Sequence, residues 1–378
     1  MLNDSYDCVV IGAGCFGSWT ALRLREGGRS VALLDAFGPG NQKSSSGGAS
    51  RIIRMAYGAD EIYTRWSWDS LSAWKDLFER VRRPELFQPT GVLWTARQGH
   101  PHAAGARIIF RELAIPHETL TAREVCRRYP QLHFDTEVVG ILEPESGALL
   151  ANQAVRAVAG EAARIGVDMM TARVTAPAGR MRLDFVRTED GRTIAAETFV
   201  FACGPWLPKL FPEVIAGRIL VTRQPVFYFD VPAYDMPIWI DFSDPRGAYT
   251  FPPLAGKGFK LALDQHGPEF DPDTGSRNAT PTEIAAAREF LSERFPALAG
   301  VPLVESEVCQ YENTCNGDLL IDQHPELSNV WLAGGGSGHG FKHGPMVGEY
   351  VVRMLDGEEP EPRLSWAAKS QVFGRTVY

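Results

Sequence analysis

Several side chains of chemically active types lie where local structure alone does not explain them. Cys309, in the strand-like stretch EVCQYENT, is either a small buried hydrophobe or a sulfur nucleophile. Lys342, in the turn GHGFKHG, opens a helix, where its positive charge opposes the helix dipole and calls for a nearby anion. Lys260 lies in the alternating stretch GFKLALD, on the face opposite both of its neighbours. Arg54, in SRIIRMAYG, either binds an anion or forms a surface salt bridge.

The first element that could position these side chains is DCVVIGAGCFGSWTALRLREGGRSVALLD. An apolar strand meets a glycine turn, a helix follows, and a second apolar strand ends on Asp35, which together predict a βαβ unit. Gly12 suits a tight turn, Gly14 lets the backbone approach a pyrophosphate, and Gly17 permits close packing of the helix on the strand. Because a helix start attracts phosphates and Asp35 can accept hydrogen bonds from a ribose diol, the unit predicts dinucleotide binding.

The rest of the chain predicts two interleaved domains. A further helix over about 152–164 and its flanking strands extend the first domain far downstream. Between these pieces, proline- and aromatic-rich segments such as QPVFYFDV alternate like the strands of a separate sheet. NAD dehydrogenases usually keep the nucleotide domain in one or two blocks, so the interleaving favours FAD. We expect an α/β fold in which a Rossmann-like FAD-binding domain, built from discontinuous segments, comprises 1–85, 146–215 and 306–378, and an α+β substrate domain with a large, mainly antiparallel sheet comprises 86–145 and 216–305.

The composition argues against several classes of partner. The net charge of −8 over 378 residues is spread out, without a basic tract, so nucleic acid and anionic membrane surfaces are poor candidates. The sequence shows no run of about 18 apolar residues and no signal-peptide pattern at its start. Its 6 cysteines are not paired at metal spacing, so we expect reduced thiols and no metal site. These features predict a cytoplasmic monomer whose partner is a small molecule.

Five stretches together carry a resemblance to a known family: VIGAGCFG, SRIIRMAYG, GFKLALD, EVCQYENT and LAGGGSGHGFKHGPMVGE. The chain resembles the monomeric sarcosine oxidases, N-methyltryptophan oxidases and pipecolate oxidases, which are flavin amine oxidases of the D-amino acid oxidase superfamily. The resemblance extends from the nucleotide motif to the C-terminal helix. It implies FAD as the cofactor, and an amino acid and O2 as the small-molecule substrates.

The resemblance assigns roles to the four side chains introduced first. Cys309 occupies the place of a cysteine that carries FAD through a thioether, and a thiolate beside an electron-poor flavin can add to it. Arg54 and Lys342 match the pair that binds the substrate carboxylate, which needs a partner in an apolar site. Lys260 matches a lysine that activates O2, since a fixed cation stabilises developing superoxide. The alternatives are an inert buried thiol for Cys309, a surface salt bridge for Arg54, a helix-start lysine for Lys342 and a strand-edge surface lysine for Lys260.

Further positions are expected at the same site. Tyr249 and Tyr311 resemble active-site tyrosines of the family, and Arg51 is expected to pack against the flavin ring. The glycine-rich turn that contains His339 offers backbone N–H groups to a flavin oxygen that becomes anionic on reduction. The expected cofactor-binding residues are Gly12, Gly14, Gly17, Asp35, Ser45, Arg51, Val174, Gly204, Cys309, Gly338, His339, Gly340, Phe341 and Lys342.

The chain departs from the family pattern in places that bear on the substrate. The segment SSGGAS, residues 45–50, replaces a Ser-His-His-Gly-Asp-Thr pattern, and Met55 replaces a histidine. Asp264 replaces an active-site histidine, and His266 follows two residues further on. These changes reduce the local positive charge and hydrogen bonding, which argues against sarcosine itself. Met55 and the apolar segment MPIWIDF favour a larger or cyclic secondary amine.

We therefore expect an FAD-dependent oxidase that converts N-methyl or cyclic secondary α-amino acids to imines and O2 to hydrogen peroxide. Three alternatives stay open: a dehydrogenase with another electron acceptor, a flavin-carrying subunit of a larger electron-transfer complex, and a nucleotide-binding protein without catalysis. Oxygen reactivity retained after replacement of Lys260 would favour the dehydrogenase. Turnover by the purified single chain would exclude the subunit, and a non-catalytic protein would not need the cations and Cys309 together.

Overall fold

Short apolar runs separated by glycine and proline turns make strands the dominant element of this chain. The computed structural model describes residues 5–370. The strands within that range are β1 Tyr6–Ile11, β2 Val31–Asp35, β3 Arg51–Ile53, β4 Phe87–Gln88, β5 Val92–Arg97, β6 Glu118–Leu120, β7 Val138–Glu143, β8 Gly147–Leu149, β9 Asp168–Thr171, β10 Phe185–Arg187, β11 Thr193–Phe201, β12 Ile219–Phe229, β13 Ile238–Asp241, β14 Ala248–Phe251, β15 Phe259–Leu263, β16 Leu303–Thr314, β17 Leu320–Gln323 and β18 Val330–Gly334. The α-helices are α1 Cys15–Glu26, α2 Glu61–Arg80, α3 Pro101–Glu112, α4 Ala122–Arg128, α5 Ala151–Arg164, α6 Leu207–Leu210, α7 Pro212–Ile215, α8 Pro281–Arg294 and α9 Gly344–Leu355.

The first sheet contains the N-terminal βαβ unit. Its seven strands follow the order β17-β18-β11-β1-β2-β9, and β10 pairs with β11. The central strands β18, β11, β1, β2 and β9 are parallel, and their nearly continuous apolar sequences reflect burial on both faces. Helix α1 packs on the sheet and on α5 and α9. Because the carboxyl ends of parallel strands share one edge, the turns after β1, β2 and β11 meet there.

The second sheet has eight strands in the order β16-β12-β15-β14-β13-β5-β7-β6. All of its pairs are antiparallel except β13 with β5. One face of its centre packs on α8 through buried side chains that include Phe259 and Leu261. Alternation along β15 therefore directs Lys260 to the opposite face.

The register of this sheet gathers chemically active side chains on the face away from α8. Lys260 is directly opposite Tyr228 and Phe251, and Phe251 shares a face with Tyr249 two residues earlier. On β12, the residues that share the face of Tyr228 include Gln224 and Thr222, which pair with Cys309 and Tyr311 of β16. Lys260, Tyr249, Cys309 and Tyr311, which come from three strands, thus point to one side.

The expected architecture of an α/β fold with a mainly antiparallel second sheet is confirmed, and the helix expected over about 152–164 is α5. The proposed domain limit at residue 306 divides a strand, because β16 pairs with β12 along its whole length. In this structure the part of the 306–378 segment up to Thr314 belongs to the second sheet. A third, small sheet has the order β3-β8-β4, and Arg51 is the first residue of β3.

Candidate functional site

A cavity of about 350 Å³ extends from the glycine turn after β1 to the second sheet. Gly12, Gly14 and Asp35 line one end, and Cys309 and Tyr311 line the other. The described lining also contains seven other residues expected from the sequence: Ser45, Arg51, Val174, Gly204, Gly338, Gly340 and Phe341. The remaining three expected cofactor-binding residues are not part of that lining: Gly17, His339 and Lys342.

The glycine turn has the geometry that its sequence predicts. Gly12 has a φ of +103°, and an added Cβ would lie 2.3 Å from the carbonyl oxygen of Ala202, so only glycine fits. A Cβ on Gly17 would lie 1.8 Å from the carbonyl oxygen of Gly12, which explains its place behind the cavity wall as a packing residue. Gly14 caps α1 without a side chain, so the helix presents its N–H groups to the cavity.

At the far end, Arg51 and Cys309 form a close pair. Nη2 of Arg51 lies 3.0 Å from Sγ of Cys309 and donates to the carbonyl oxygen of Ser45 at 2.7 Å. Nη1 donates to the carbonyl oxygen of Ser50 at 2.8 Å. The guanidinium thus donates a charge-assisted hydrogen bond to the sulfur. Arg51 therefore serves the sulfur directly, in addition to lining the cavity.

Glu312 is a buried carboxylate of the cavity wall that sequence reasoning missed. Its Oε1 accepts a hydrogen bond from Oγ of Ser45 at 2.7 Å, and backbone N–H groups of Gly335 and Gly336 also donate to it. Burial raises the pKa of Glu312 despite these donors. No distinctive signal in the sequence marks it, because β16 also contains two partly exposed glutamates, Glu305 and Glu307.

Lys260 is enclosed by the second sheet and the loop before β3. Its side chain is 2% exposed, so the alternative of a surface lysine is wrong. Nζ donates to the carbonyl oxygen of Ser50 at 3.1 Å and lies 4.5 Å from the ring centre of Phe251. Burial, and then the positive charge of Arg51, lower the pKa of Lys260 to about 7. Near pH 7 the Lys260 side chain is therefore divided between its ammonium and amine forms, and an additional negative charge nearby would stabilise the ammonium.

Tyr57 brings Arg54 and Lys342 together. The guanidinium carbon of Arg54 lies 4.5 Å from the ring centre of Tyr57, and Nζ of Lys342 donates to the Tyr57 hydroxyl at 2.8 Å. Nζ also donates to the carbonyl oxygen of His339 at 2.8 Å, so two of its three donors meet neutral oxygens. Burial lowers the pKa of Lys342 well below its usual value. Both cations are buried, which excludes a surface salt bridge for Arg54.

The histidine of the glycine-rich turn supports Tyr57. Nδ1 of His339 lies 3.1 Å from the Tyr57 hydroxyl, and its Nε2 lies 2.8 Å from the carbonyl oxygen of Gly317. Since a carbonyl only accepts, Nε2 carries the proton. Nε2 of His343 lies 2.8 Å from the same hydroxyl. His339 thus helps to position Tyr57, and through it Nζ of Lys342, from outside the cavity lining. Lys342 itself belongs to a 3₁₀ turn, Gly340–His343, that precedes α9.

Glu143, a second missed carboxylate, fixes the loop that carries Arg54. It is 1% exposed and accepts four hydrogen bonds. Oε2 accepts from the Met55 N–H at 2.7 Å and from Oγ of Ser146 at 2.5 Å. Oε1 accepts from the Ala56 N–H at 3.1 Å and from Nε1 of Trp94 at 2.7 Å. Its negative charge also supports the ammonium of Lys342.

Tyr249, Tyr311 and Asp264 form another group of interacting polar side chains. The hydroxyl of Tyr311 donates to Oδ1 of Asp264 at 3.1 Å, and Tyr249 interacts with Tyr311. Burial raises the pKa of Asp264 to about 6, although the hydrogen bond from Tyr311 and the charges of Arg54 and Lys342 oppose this shift. The site therefore combines several buried cations with a carboxylate that titrates close to neutrality.

The described residues also limit the class of protein. Among residues 5–370, no group of three or more His, Cys, Asp or Glu side chains has the geometry to hold a metal ion. In the same part of the chain, no helix is both long and apolar enough to span a membrane. No disulfide bond joins the cysteines of this part of the chain.

Comparison with known proteins defines the class. The chain matches the FAD dependent oxidoreductase (DAO) family over residues 7–354, and it belongs to that family. It is 31% identical over 364 residues to monomeric sarcosine oxidase from Bacillus sp. (strain B-0618), with 93% of each chain covered. It is 28% identical over 365 residues to peroxisomal sarcosine oxidase from Homo sapiens, with 93% of this chain and 92% of that one covered. L-proline dehydrogenase from P. horikoshii has the same fold, with a TM-score of 0.86, 21% identity, and coverage of 97% of this chain and 98% of that one.

The family resemblance drawn from the five sequence motifs is thereby confirmed, as are FAD as the cofactor and an oxidoreductase activity. The cavity fits this cofactor. Its first end has a glycine cradle that any Cβ would fill, an uncapped helix start and the Asp35 carboxylate, which suit a pyrophosphate and a ribose. Its second end has Cys309 paired with Arg51, and Tyr311 in the wall beside them.

Proposed function

We propose that this protein oxidises secondary α-amino acids, either N-methylated or cyclic, to imines and transfers the electrons to O2. The observation that carries the proposal is the pair of buried cations, Arg54 and Lys342, held together by Tyr57. Both charges act on Asp264, whose carboxylate accepts a hydrogen bond from Tyr311 of the cavity wall. Buried cations are costly unless an anion joins them, and a substrate carboxylate supplies it. The curated relatives, which are named as sarcosine oxidases, support an N-substituted amino acid as the substrate.

The side chains divide the work as follows. Arg54 offers two donors in a plane to the carboxylate, and Lys342 adds a third donor and a point charge. This anchoring directs the carbon next to nitrogen towards the cavity, which would hold FAD as the hydride acceptor. Lys260 provides a buried cation for the negative charge that O2 acquires on reduction, which gives hydrogen peroxide as the product.

Matched amines with and without a carboxylate test the proposal. L-pipecolate and piperidine share the ring and the amine, and differ in the group that Arg54 and Lys342 would bind. We expect the second-order rate constant for anaerobic bleaching of the flavin absorbance to be at least about 10³-fold higher for pipecolate, because a buried bidentate ion pair with an added lysine is lost with piperidine. Arg54→Met should reduce that ratio. Equal bleaching by both amines would contradict the carboxylate site, and bleaching without peroxide in air would favour the dehydrogenase.

A covalent link between FAD and Cys309 is part of the proposal. It is supported by the 3.0 Å approach of Arg51 to the sulfur at the end of the cavity. Intact-protein mass spectrometry should show the wild-type chain heavier by one FAD, with the yellow colour retained in the acid-precipitated pellet. Cys309→Ala should release the flavin, whereas Cys315→Ala, in the turn after β16, should retain it. Free flavin in the wild-type supernatant would refute the link.

The monomeric state and the cytoplasmic location expected from the sequence belong to the same proposal. Light scattering of the purified holoenzyme and fractionation of the producing cell would test them.

A further inference from the structure

Asp264 is a carboxylate in a site otherwise rich in cations. It follows β15, and its backbone N–H donates to the carbonyl oxygen of Gly247 at 3.1 Å, which fixes the position of the side chain. The Tyr311 hydroxyl, on the cavity wall, donates to Oδ1. The other oxygen of the carboxylate is thus the one open to a further donor. A substrate whose carboxylate is bound by Arg54 and Lys342 brings its nitrogen, one carbon away, into the same corner.

The neighbours of Asp264 explain why it, and none of them, accepts a proton. The charged and titratable groups facing it are Tyr311, Tyr249, Arg54 and Lys342, with His266 packed edge-on against the Tyr311 ring at 6.3 Å. Burial raises the pKa of both tyrosines, so they act as donors near neutral pH. Arg54 offers only N–H donors, and Lys342 is committed to Tyr57 and to the substrate carboxylate.

We propose that Asp264 is the catalytic base that takes a proton from the substrate's ammonium group, so that this chain binds the zwitterionic secondary amino acid and neutralises it in place. This inference rests on the proposed function. A secondary ammonium carries two N–H protons: one passes to the free oxygen of Asp264, and the N–H bond electrons stay on nitrogen as its lone pair. The neutral amine can then release hydride from the adjacent carbon, while the Asp264 carboxylic acid later returns the proton to water. The carboxylate must be ionised to act, and its pKa of about 6 leaves it ionised at neutral pH.

Anaerobic stopped-flow reduction of the holoenzyme by L-pipecolate between pH 5 and 10 tests this role. In the wild type, the limiting rate should rise with pH through about 6 as Asp264 ionises. Asp264→Asn keeps the shape and the Tyr311 hydrogen bond but cannot accept a proton. We expect a rate at pH 7 lower by about 10²-fold, the usual contribution of a general base. That loss should shrink as the pH approaches the pKa of the free amine, because neutral substrate then bypasses the base.

Two comparisons separate this role from a structural one. Asp264→Glu, which restores a carboxylate, should recover part of the rate at pH 7, and His266→Asn, two residues away, should behave like the wild type. Flavin content and thermal midpoint establish that each variant is folded. A loss in Asp264→Asn that is the same at every pH, or an unchanged rate at pH 7, would overturn the inference and leave the proposed function standing. Failure of the wild type to be reduced by any secondary amino acid would overturn both.

Discussion

Replacing Glu143 by glutamine should destabilise the protein, because this carboxylate accepts four hydrogen bonds in a buried position. A glutamine retains one oxygen, and its NH2 group must point at groups that are themselves donors. If the NH2 group takes the place of Oε2, it can donate to a rotated Ser146 hydroxyl, but the Met55 N–H then loses its acceptor. Placed at Oε1, it removes the acceptor for both Ala56 and Trp94. The first arrangement is therefore the cheaper one.

The size of the effect follows from that arrangement. One buried donor without a partner costs about 1–3 kcal/mol, and the loss of charge on the remaining bonds adds about 1 kcal/mol, which gives roughly 2–4 kcal/mol. At about 2 °C per kcal/mol for a large domain, the thermal midpoint should fall by about 4–8 °C. Because the Glu143 charge also supports Lys342, KM for the substrate carboxylate should rise with a smaller change in kcat.

Scanning fluorimetry of the holoenzyme at a fixed heating rate and steady-state kinetics at pH 7 measure the two effects. Glu161→Gln is the matched control. Glu161 is also a buried carboxylate, but its partners Arg80 and Arg164 are exposed and can be hydrated when the charge is lost. Its midpoint should shift by less than about 2 °C, since such pairs contribute about 0–1 kcal/mol. Equal shifts in the two variants, with KM unchanged in Glu143→Gln, would refute the reasoning.

Three further predictions concern Gly12 and Lys260. Gly12→Ala should lose FAD and stability, because its Cβ would lie 2.3 Å from the Ala202 carbonyl oxygen. Gly28→Ala, with a φ of +88° and nothing within 4 Å of the added Cβ, should cost only about 1–2 kcal/mol of backbone strain. Flavin content and urea midpoints distinguish the two variants, and equal losses would contradict the steric argument. Lys260→Met should slow the reaction of the reduced enzyme with O2 by about 10²–10³-fold while leaving anaerobic flavin reduction unchanged. In the wild type, the rate of reaction with O2 should fall as the pH rises above about 7 and Lys260 loses its charge. If stopped flow shows the same rate of reaction with O2 in the variant, the dehydrogenase is favoured. Because the folded-state pKa of Lys260 is lowered, the folded chain binds fewer protons than the unfolded chain above about pH 7. The stability of the wild type should therefore rise with pH relative to that of Lys260→Met. If the urea midpoints of the two proteins change in parallel between pH 6 and pH 9, this linkage is excluded.

The sequence by itself determined the nucleotide-binding half of the site and the class of the protein. Gly12, Gly14, Gly17 and Asp35 act through local geometry, a turn between a strand and a helix, and such geometry is set by residues close together in the chain. The face of Lys260 was also readable, because alternation along a strand needs no knowledge of its partners.

Only the tertiary structure decided how the second half of the site is held. Glu143 contacts a loop 88 residues earlier, Arg51 approaches a sulfur 258 residues later, and Tyr57 meets His339 282 residues later. These contacts depend on the register of β16 against β12 and on the pairing of β3 with β8. A local pattern cannot state which distant donor a buried carboxylate accepts from, because burial and pairing are set only when separate elements pack together.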